Sequence, residues 1–329
     1  MVVRVGVLVH ESVMPSSATT PLDVLRVANK LAHIQHPGAP APLQVQLVAV
    51  RGGSVRTGLG VSFEAVTARP DELDVLITTA IEYSTTHGLL ERLDAMTAER
   101  QLLRRCADAN LHIFSGCNSS LLLAEAGLLD GRRATTSWWL ANMFRERYPA
   151  VDLAAEEMVV EDGNITTAGA STAIDEMCLR VVEMAGGKEL AHNVSRLMLV
   201  DRQRQSQAPY VSLALAEQPR QGVSERAEKW LQKRLHETIS VRDLADHCRV
   251  SERTLLRRFH MDFGATPLEY VQKLRVERAK ALLESTLLSF EEIVGRCGYQ
   301  DVSSFRRLFK HVVSMTPNDY RERYRLRGR

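Results

Sequence analysis

The sequence predicts an α/β domain with a mostly parallel sheet, followed by an all-α domain. Two observations predict this order: the front of the chain alternates Val-rich runs with helical patterns, and the chain beyond residue 222 has helical periodicity almost throughout. The length of 329 residues fits two domains of about 100–200 residues each. With 45% hydrophobic and 25% charged residues, the composition excludes a collagen-like, coiled-coil or wholly disordered chain.

The front domain is predicted from strands and helices that alternate along the chain. Its strands are short and rich in β-branched residues, as strands buried on both faces of a parallel sheet are. We expect strands at 2–9, 43–50, 73–79 and 111–114, and helices at 22–33, 89–109 and 121–126. A hairpin is expected over 158–160 and 164–167, and a helix over 173–184 that ends at Gly186-Gly187.

The domain boundaries follow from composition and charge. Residues 201–222 combine Gln, Arg and Pro without a steady period, and we interpret them as a linker between a front domain at 1–200 and a tail domain at 223–329. The tail holds 22 Lys and Arg against 15 Asp and Glu, a net charge of +7, whereas residues 1–222 hold 20 against 25, a net charge of −5. A basic tail on an acidic front domain indicates a module that binds a polyanion.

Several classes of protein are excluded or disfavoured. No apolar run approaches the ~20 residues needed to cross a bilayer, and the start of the chain lacks the features of a signal peptide. We therefore expect a cytoplasmic protein without a membrane partner. The five cysteines are odd in number and never form a CxxC pair, so we expect no disulfide framework, metal site or cofactor. They stand at positions 106, 117, 178, 248 and 297.

An internal repeat is the strongest pattern in the tail. The motif Arg257-x-Phe259 is followed by Gly264-x-Thr266-Pro267-x-x-Tyr270, and Arg307-x-Phe309 is followed by Ser314-x-Thr316-Pro317-x-x-Tyr320. These motifs are 50 residues apart, whereas Leu244 and Cys248, which precede the turn within the first unit, are 49 residues from Ile293 and Cys297 in the second. One supersecondary unit is therefore used twice.

Each copy of this unit predicts a helix-turn-helix. In the first copy, helix 241–248 precedes Ser251, a favourable N-cap for a second helix that buries Leu255 and Phe259. The second copy has helix 290–297 and then a helix that buries Phe305 and Phe309. The second helix of such a motif enters the major groove, where Arg pairs with guanine. The predicted DNA-contacting residues are Glu252, Arg253, Leu256, Arg257, Val302, Ser303, Arg306 and Arg307. A long helix over 267–285 would hold the two recognition helices roughly 34 Å apart, one turn of DNA.

These motifs resemble the AraC-type DNA-binding domain over residues 223–329. The resemblance rests on Ser251-x-Arg253-x-Leu255-x-Arg257-x-Phe259, on Gly298-Tyr299, and on Thr316-Pro317-x-x-Tyr320-Arg321. Ser314 stands where the family usually has Gly, which bears on the geometry of one turn. The resemblance implies promoter DNA as a partner, and RNA polymerase if the protein is an activator. The basic run 321–329 fits either phosphate contacts or a solvated end.

In the front domain, strand 111–114 runs through Gly116-Cys117 into a helix. This spacing is that of a nucleophile elbow, in which the thiol lies beside a helix N-terminus that lowers its pKa. Open α/β sheets also bind ligands at this edge. An ordinary buried cysteine explains the spacing equally well.

Longer matches make residues 1–200 similar to the class I glutamine amidotransferase-like superfamily. The branch concerned contains PfpI-type proteases and the GlxA-type regulators that carry an AraC domain. The matching segments are Pro21-Leu22-Asp23-Val24, Cys117, 122–136, and 166–169 before Asp175. The resemblance implies a flavodoxin-like domain that senses a small effector and forms a homodimer, and relatives suggest an effector of the amino-acid or amine class.

Catalysis is not expected, although the residues leave alternatives open. Many relatives have a His where this chain has Ser137, and Ser115 and Ser119 replace the glycines of the elbow. The alternatives are a cysteine-dependent amidase or glyoxalase-like hydrolase that also binds DNA, and a redox sensor that uses the Cys117 thiolate. Sequence does not place His10 or His112, although His112 within a strand suggests a packed core residue.

The effector is expected in the crevice around Cys117. Glu11 follows the first strand, where it is either a ligand contact or a solvated carboxylate. Trp138 is a candidate for a cation–π contact with a bound cation, although one of the two adjacent residues Trp138 and Trp139 is expected in the core. The complete set of predicted ligand-binding residues is Glu11, Asp23, Cys117, Asn118 and Trp138.

Overall fold

The computed structural model describes residues 2–201, 204, 206–212 and 222–325. The chain divides into two compact units, Met1–Gln207 and Ala208–Arg329. The first unit extends past residue 200 because the backbone N–H of Gln207 donates to the carbonyl of Glu156. Residues 206 and 207 of the predicted linker therefore belong to the front unit. The linker residues 202, 203, 205 and 213–221, and the end of the basic run at 326–329, lie outside the described part of the chain.

The front unit is built on a mostly parallel sheet, as predicted. Strand order is β3-β4-β2-β1-β5-β6-β10-β9, and a separate two-stranded sheet pairs β7 with β8. The pairs β3–β4 and β9–β10 at the two edges are antiparallel. The strands are β1 Val3–Leu8, β2 Leu43–Ala49, β3 Gly53–Arg56, β4 Ser62–Thr67, β5 Val75–Thr78, β6 His112–Gly116, β7 Arg133–Ala134, β8 Asp152–Leu153, β9 Val159–Asp162 and β10 Ile165–Ala168.

Helices cover both faces of this sheet. Helices α1 and α6 contact each other and share one apolar cluster with the sheet. Buried side chains of α2, α3, α4 and α5 form the second cluster on the other face. The two buried faces explain why the central strands are almost continuously apolar. These helices are α1 Pro15–Gln35, α2 Thr86–Ala95, α3 Thr97–Asp108, α4 Ser120–Glu125, α5 Ala141–Arg147 and α6 Ala173–Leu197.

Several predicted boundaries differ from the structure. Helix α1 begins at Pro15, seven residues before the predicted start, because proline is tolerated in a first turn and Pro21 is accommodated inside the helix. The predicted helix 89–109 is two helices that meet at Met96. Helix α6 does not end at its glycines: Gly187 interrupts it with φ 82° and ψ 172°, and the chain then re-enters a helix.

The second unit is helical throughout its regular elements. Two apolar clusters repeat the same aromatic residues: Phe259 and Tyr270 in the first, Phe309 and Tyr320 in the second. The helices are α7 Val223–Lys233, α8 Val241–Cys248, α9 Glu252–Phe263, α10 Pro267–Ser285, α11 Phe290–Arg296, α12 Val302–Val313 and α13 Pro317–Tyr324. Helix α10 supplies buried residues to both clusters and so joins the two copies of the repeat.

Polar side chains cap the starts of α8 to α13. The Ser251 hydroxyl accepts from the Thr254 N–H at 3.2 Å, as its sequence position predicts. Thr266 with Glu269 and Ser289 with Glu292 form reciprocal capping boxes at the starts of α10 and α11. Within the described residues, no helix is both long enough and apolar enough to cross a membrane.

The turn after each recognition helix gives a first testable prediction. Gly264 (φ 58°, ψ 27°) and Ser314 (φ 58°, ψ 18°) adopt the same left-handed conformation. An L-residue with a Cβ loses about 1–2 kcal/mol there, so Ser314→Gly is expected to raise the free energy of unfolding by about 1 kcal/mol. Urea unfolding of the full chain measures this change. The matched variant Gly264→Ser is expected to lower the free energy of unfolding by a similar amount. A destabilised Ser314→Gly variant would contradict the expectation.

Candidate functional site

The predicted elbow is present at the end of β6. Cys117 has φ 61°, a left-handed conformation that is unusual for a residue with a side chain, and the chain turns there into α4. Its N–H donates to the carbonyl of Gly169 at 2.9 Å. A Cβ on Gly116 would lie 2.6 Å from Cγ1 of Ile174, so α6 packs directly against the elbow and requires glycine at 116.

The thiol of Cys117 is enclosed. Its Sγ lies 3.1 Å from the hydroxyl oxygen of Ser137, and the residue is only 5% exposed. Burial raises the pKa of Cys117 above its ordinary value near 9, and the hydrogen bond with Ser137 opposes this only in part. The thiol is therefore protonated at neutral pH, which opposes the thiolate that both the hydrolase and the redox-sensor alternatives require.

The serines of the elbow bond to their neighbours. The hydroxyls of Ser115 and Ser119 lie 2.8 Å apart, and Ser119 also donates to the carbonyl of Gly116 at 2.7 Å. Ser120 donates to the hydroxyl of Thr136 at 2.8 Å. The buried polar groups thus satisfy one another, as buried hydroxyls usually do.

Neither histidine considered from the sequence is bonded to the thiol. His10 is buried at the end of β1, with Nε2 3.5 Å from the carbonyl oxygen of Thr79. Burial lowers the pKa of His10 to about 4, so its imidazole is neutral at pH 7. His112 is exposed at the first position of β6, so the expectation of a packed core residue was wrong.

The five predicted ligand residues do not form one pocket. Asn118 binds the backbone of Ile81 at both ends of its amide, accepting at 2.8 Å and donating at 2.7 Å. Glu11 is exposed and lines a cavity of about 440 Å³ beyond the ends of β1 and β2, together with His10. Asp23 is exposed on α1. The structure therefore brings together Cys117 and Asn118, which are sequence neighbours, and leaves Glu11 and Asp23 in other surroundings.

The tryptophan expected at this site is half-buried. Trp138 follows Ser137 directly and contacts Trp139 edge to face, with ring centroids 5.3 Å apart. The indole N–H of Trp139 donates to the hydroxyl of Tyr83 at 2.8 Å. Trp139 is also only half-buried, but it packs against the second apolar cluster of the front unit.

The two predicted recognition helices differ in how they present their residues. Helix α9 exposes Glu252, Arg253, Leu256 and Arg257. On α12, Ser303, Arg306 and Arg307 are exposed, whereas Val302 is half-buried and packs against the second apolar cluster.

The two arginines of α12 have different neighbours. The guanidinium of Arg306 lies 5.0 Å from the ring centre of Phe290 and 3.9 Å from the carboxylate of Glu291. Arg307 donates to the hydroxyl of Ser304 at 3.0 Å, and in the 50-residue register of the repeat it corresponds to Arg257. Arg307 is therefore better disposed than Arg306 to contact a ligand outside the protein.

Helix α10 sets the spacing of the two motifs. It contacts α9, α11, α12 and α13. Its 19 residues give a length of about 28 Å at 1.5 Å per residue. A helix that contacts both motifs holds them at a fixed spacing, and DNA presents successive major-groove segments roughly 34 Å apart on one face.

A polar cavity was missed by the sequence analysis. It lies beyond the carboxyl end of β10 and includes Glu157, Glu176 and Arg204. These residues come from three separate segments of the chain, and an acidic residue in the first turn of a helix ordinarily indicates only favourable helix capping. Among the described residues, no group of three or more His, Cys, Asp or Glu side chains could hold a metal ion.

A parallel α/β unit followed by two helix-turn-helix motifs on one connecting helix defines a DNA-binding transcription regulator with a separate front domain. Comparison with known proteins agrees with this class. The chain belongs to the DJ-1/PfpI family, whose model matches residues 3–184, and it also carries an AraC-type helix-turn-helix domain, matched over residues 244–323. Both resemblances inferred from the sequence are thereby confirmed.

Named relatives are transcription regulators. The chain is 32% identical to the HTH-type transcriptional regulator CdhR of Pseudomonas aeruginosa, over 70% of this chain and 69% of the relative. It is 27% identical to GlxA of Rhizobium meliloti over 97% of this chain and 96% of the relative. The match to GbdR of Pseudomonas aeruginosa, at 28% identity, spans only 56% of that protein.

A solved structure supports the fold of the front unit. A putative transcriptional regulator from Vibrio parahaemolyticus matches 60% of this chain and all of its own, with a TM-score of 0.51 and 22% identity. At this identity the likeness concerns the fold alone.

Proposed function

We propose that this regulator binds promoter DNA through both helix-turn-helix motifs and that its front domain senses a small effector and pairs two chains. The observation that carries the proposal is the pair of exposed, arginine-bearing helices α9 and α12, both in contact with α10. Because the named relatives are bacterial proteins, whose promoter DNA lies in the cytoplasm, the proposal places this regulator there. RNA polymerase is a further partner if the regulator activates transcription.

The base contacts come from the exposed face of each recognition helix. Arg253, Arg257 and Arg307 suit the O6 and N7 atoms of guanine, and Ser303 suits several bases. Leu256 is 41% exposed, so its side chain is available to contact a thymine methyl group. Val302 and Arg306 are weaker candidates because each packs against its own domain.

The effector belongs to the amino-acid or amine class in this proposal. Binding of effector and operator must be linked, so each changes the affinity of the other by the same factor. Of the five ligand residues predicted from the sequence, Glu11 retains a place in a cavity. Cys117 and Asn118 support the elbow through the contacts already described.

A gel-shift titration of the full chain tests the proposed function. The probe is the sequence that the full chain enriches from a random DNA library, compared with scrambled DNA of equal length over a series of salt concentrations. The proposal predicts that the enriched DNA is preferred by at least 10³-fold, the low end for specific regulators. Equal affinity for both DNAs at every salt concentration would refute it.

Cys117 is not a nucleophile in this proposal, since Ser137 stands where a catalytic His would be needed. Cys117→Ala is expected to keep operator affinity within about twofold and to keep the response to effector, because the thiol is buried and protonated. Gel shifts with and without effector measure this, with Ser137→Ala as the matched control.

The same variant tests the alternatives. The strained elbow is the observation that favours a hydrolase, and that alternative requires a hydrolytic turnover that disappears in Cys117→Ala. Operator binding that is lost on treatment with peroxide, and kept by Cys117→Ala, would instead establish a redox sensor.

A further inference from the structure

The front unit contains a cavity of about 470 Å³ that lies away from the elbow thiol. It lies between the start of β9 and the first turns of α6, at the carboxyl end of β10. This size is within the range of small-molecule sites. The side chains that matter are Glu157 and Glu176, Arg180 and Arg204, and the apolar Met158 and Leu179.

Two charged side chains in this cavity are incompletely satisfied. Glu176 and Arg204 are only 13% and 18% exposed, and the closest atoms of the pair, Oε1 and Nη2, are 3.4 Å apart. Oε1 of Glu176 and Nε of Arg204 are both buried without a hydrogen-bond partner among the described residues. A buried polar atom without a hydrogen-bond partner costs the protein free energy. Such a cost is typical of a site that is shaped to bind a ligand.

The protonation of Glu176 supports the same conclusion. Burial raises the pKa of Glu176 to about 7, and the attraction of Arg204 offsets burial only in part. The negative charge of Glu176 is therefore only partly compensated, and a cationic group of a ligand would add to the compensation. Two other charges act on Glu176. Arg180 lowers the pKa of its carboxyl group, and Asp201 raises it.

The charges around the cavity define the chemistry of the occupant. The Glu176 carboxylate suits an ammonium group, since Glu157 already pairs with Arg133, and the guanidinium groups of Arg204 and Arg180 suit a carboxylate. Arg180 is half-exposed and already pairs with Glu161 at 3.0 Å, so Arg204 is the stronger anion contact. Met158 and Leu179 suit a short hydrocarbon between the two charged ends.

We propose that this cavity is the effector site, and that it binds a small zwitterion with its ammonium group at Glu176 and its carboxylate at Arg204. The inference rests on the proposed function, since it gives that function's effector a site and a charge pattern. It does not use the elbow, whose polar groups are occupied by their neighbours.

The residues that follow Arg204 join the cavity to the end of the front unit. Ser206 forms a β-bridge with Glu157, one of the cavity residues. Gln207 is 1% exposed, and its side-chain amide donates to the carbonyls of Thr136 and Ala155 at 2.9 Å each. Its Oε1 accepts from the N–H of Ala170 at 2.9 Å.

The buried position of Gln207 depends on a close approach between its side chain and the backbone at Gly169. A Cβ on Gly169 would lie 2.2 Å from Cδ of Gln207, so glycine is needed there for the glutamine to fit. Gln207 is the last residue of the front unit, and Ala208 is the first of the DNA-binding unit. An effector that binds Arg204 thus acts on the segment that leads directly to Gln207, the end of the front unit.

The test uses the full chain and a panel of probes. The probes are the common amino acids and their ω-amino homologues, each at 10 mM, with n-butylamine and butyrate as compounds that carry one charge only. Thermal unfolding should show that at least one zwitterion raises the Tm by several degrees, while the two singly charged compounds do not. That probe should also change operator affinity.

Variants locate the site. Glu176→Gln and Arg204→Gln should weaken the affinity for the active probe at least tenfold, while Cys117→Ala and the exposed Glu189→Gln on α6 should leave it unchanged. Glu176→Gln should unfold at the wild-type temperature or above when no probe is present, because it removes a poorly compensated buried charge.

The outcomes separate this inference from the proposed function. A panel without a shift, or a shift that survives in both cavity variants, overturns the effector site even if the operator is bound. Loss of probe binding in Cys117→Ala would also overturn it and would place the effector site at the elbow. Failure of the wild-type chain to prefer its operator would instead overturn the proposed function.

Discussion

Replacing Phe309 by alanine is expected to destabilise the second helix-turn-helix by about 3–5 kcal/mol. The side chain is fully buried, and its ring contacts those of Tyr320 and Phe290, with centroids 5.7 and 6.5 Å away. Truncation leaves a cavity in the apolar cluster that packs α12 against α10. Urea unfolding followed by circular dichroism at 222 nm measures the loss.

Phe259→Ala is the matched variant, because Phe259 occupies the same place in the first motif and is equally buried. Each variant is expected to remove the DNA protection contributed by its own recognition helix and to leave the other part of the footprint. A cost below about 1 kcal/mol for Phe309→Ala would contradict the assignment of this residue to a core.

Replacing Arg253 or Arg307 by alanine is expected to weaken operator binding by about 1–3 kcal/mol, which is about 5- to 150-fold, with little effect on random DNA. Both arginines are exposed on the faces of α9 and α12 that point away from their cores. Bidentate pairing with guanine depends on the sequence, so its loss reduces specificity as well as affinity. Gel-shift titrations on operator and scrambled DNA measure both.

Lys310→Ala is the control for the loss of a positive charge. Lys310 is exposed on α12 seven residues after Ser303, beyond the N-terminal positions that reach base edges. The Lys310→Ala variant is expected to weaken binding to both DNAs equally. The slope of log affinity against log salt concentration should become smaller in magnitude by about 1. Equal losses on both DNAs for Arg253→Ala and Arg307→Ala would show that these arginines contact phosphates.

The DNA-binding unit was largely predictable because its signals are local. Helix caps such as Ser251 act within one turn, and the repeat fixes which residues correspond in the two copies. The turn at Ser314 shows the same principle, since the chain adopts the left-handed conformation of Gly264 even with a side chain. Val302 is half-buried and not fully exposed as the sequence predicts, because burial at the start of a helix depends on the neighbouring elements.

The front unit was predictable in its buried strands but not at its edges. Val3–Leu8 and Val75–Thr78 are central strands whose apolar character follows from burial on both faces. The edge pair of Gly53–Arg56 and Ser62–Thr67 was missed because its strands are short and largely exposed. The hairpin at the opposite edge was found because a glycine turn separates its two strands.

The candidate sites show where sequence patterns stop being informative. The elbow at Cys117 is a local pattern and was found, whereas the role of Asn118 depends on the backbone of Ile81, 37 residues away. Glu176 and Arg204 meet only because β9, α6 and the end of the front unit converge. No spacing along the chain signals a pair of this kind.

Methylation protection of guanine N7 on the operator, with the full chain bound, tests the central claim most directly. Two clusters of protected guanines are expected in the major groove, about 10 base pairs apart, one lost in Arg253→Ala and the other in Arg307→Ala. A single protected cluster, or two clusters that both disappear with either variant, would contradict the claim that each helix-turn-helix reads its own major-groove segment.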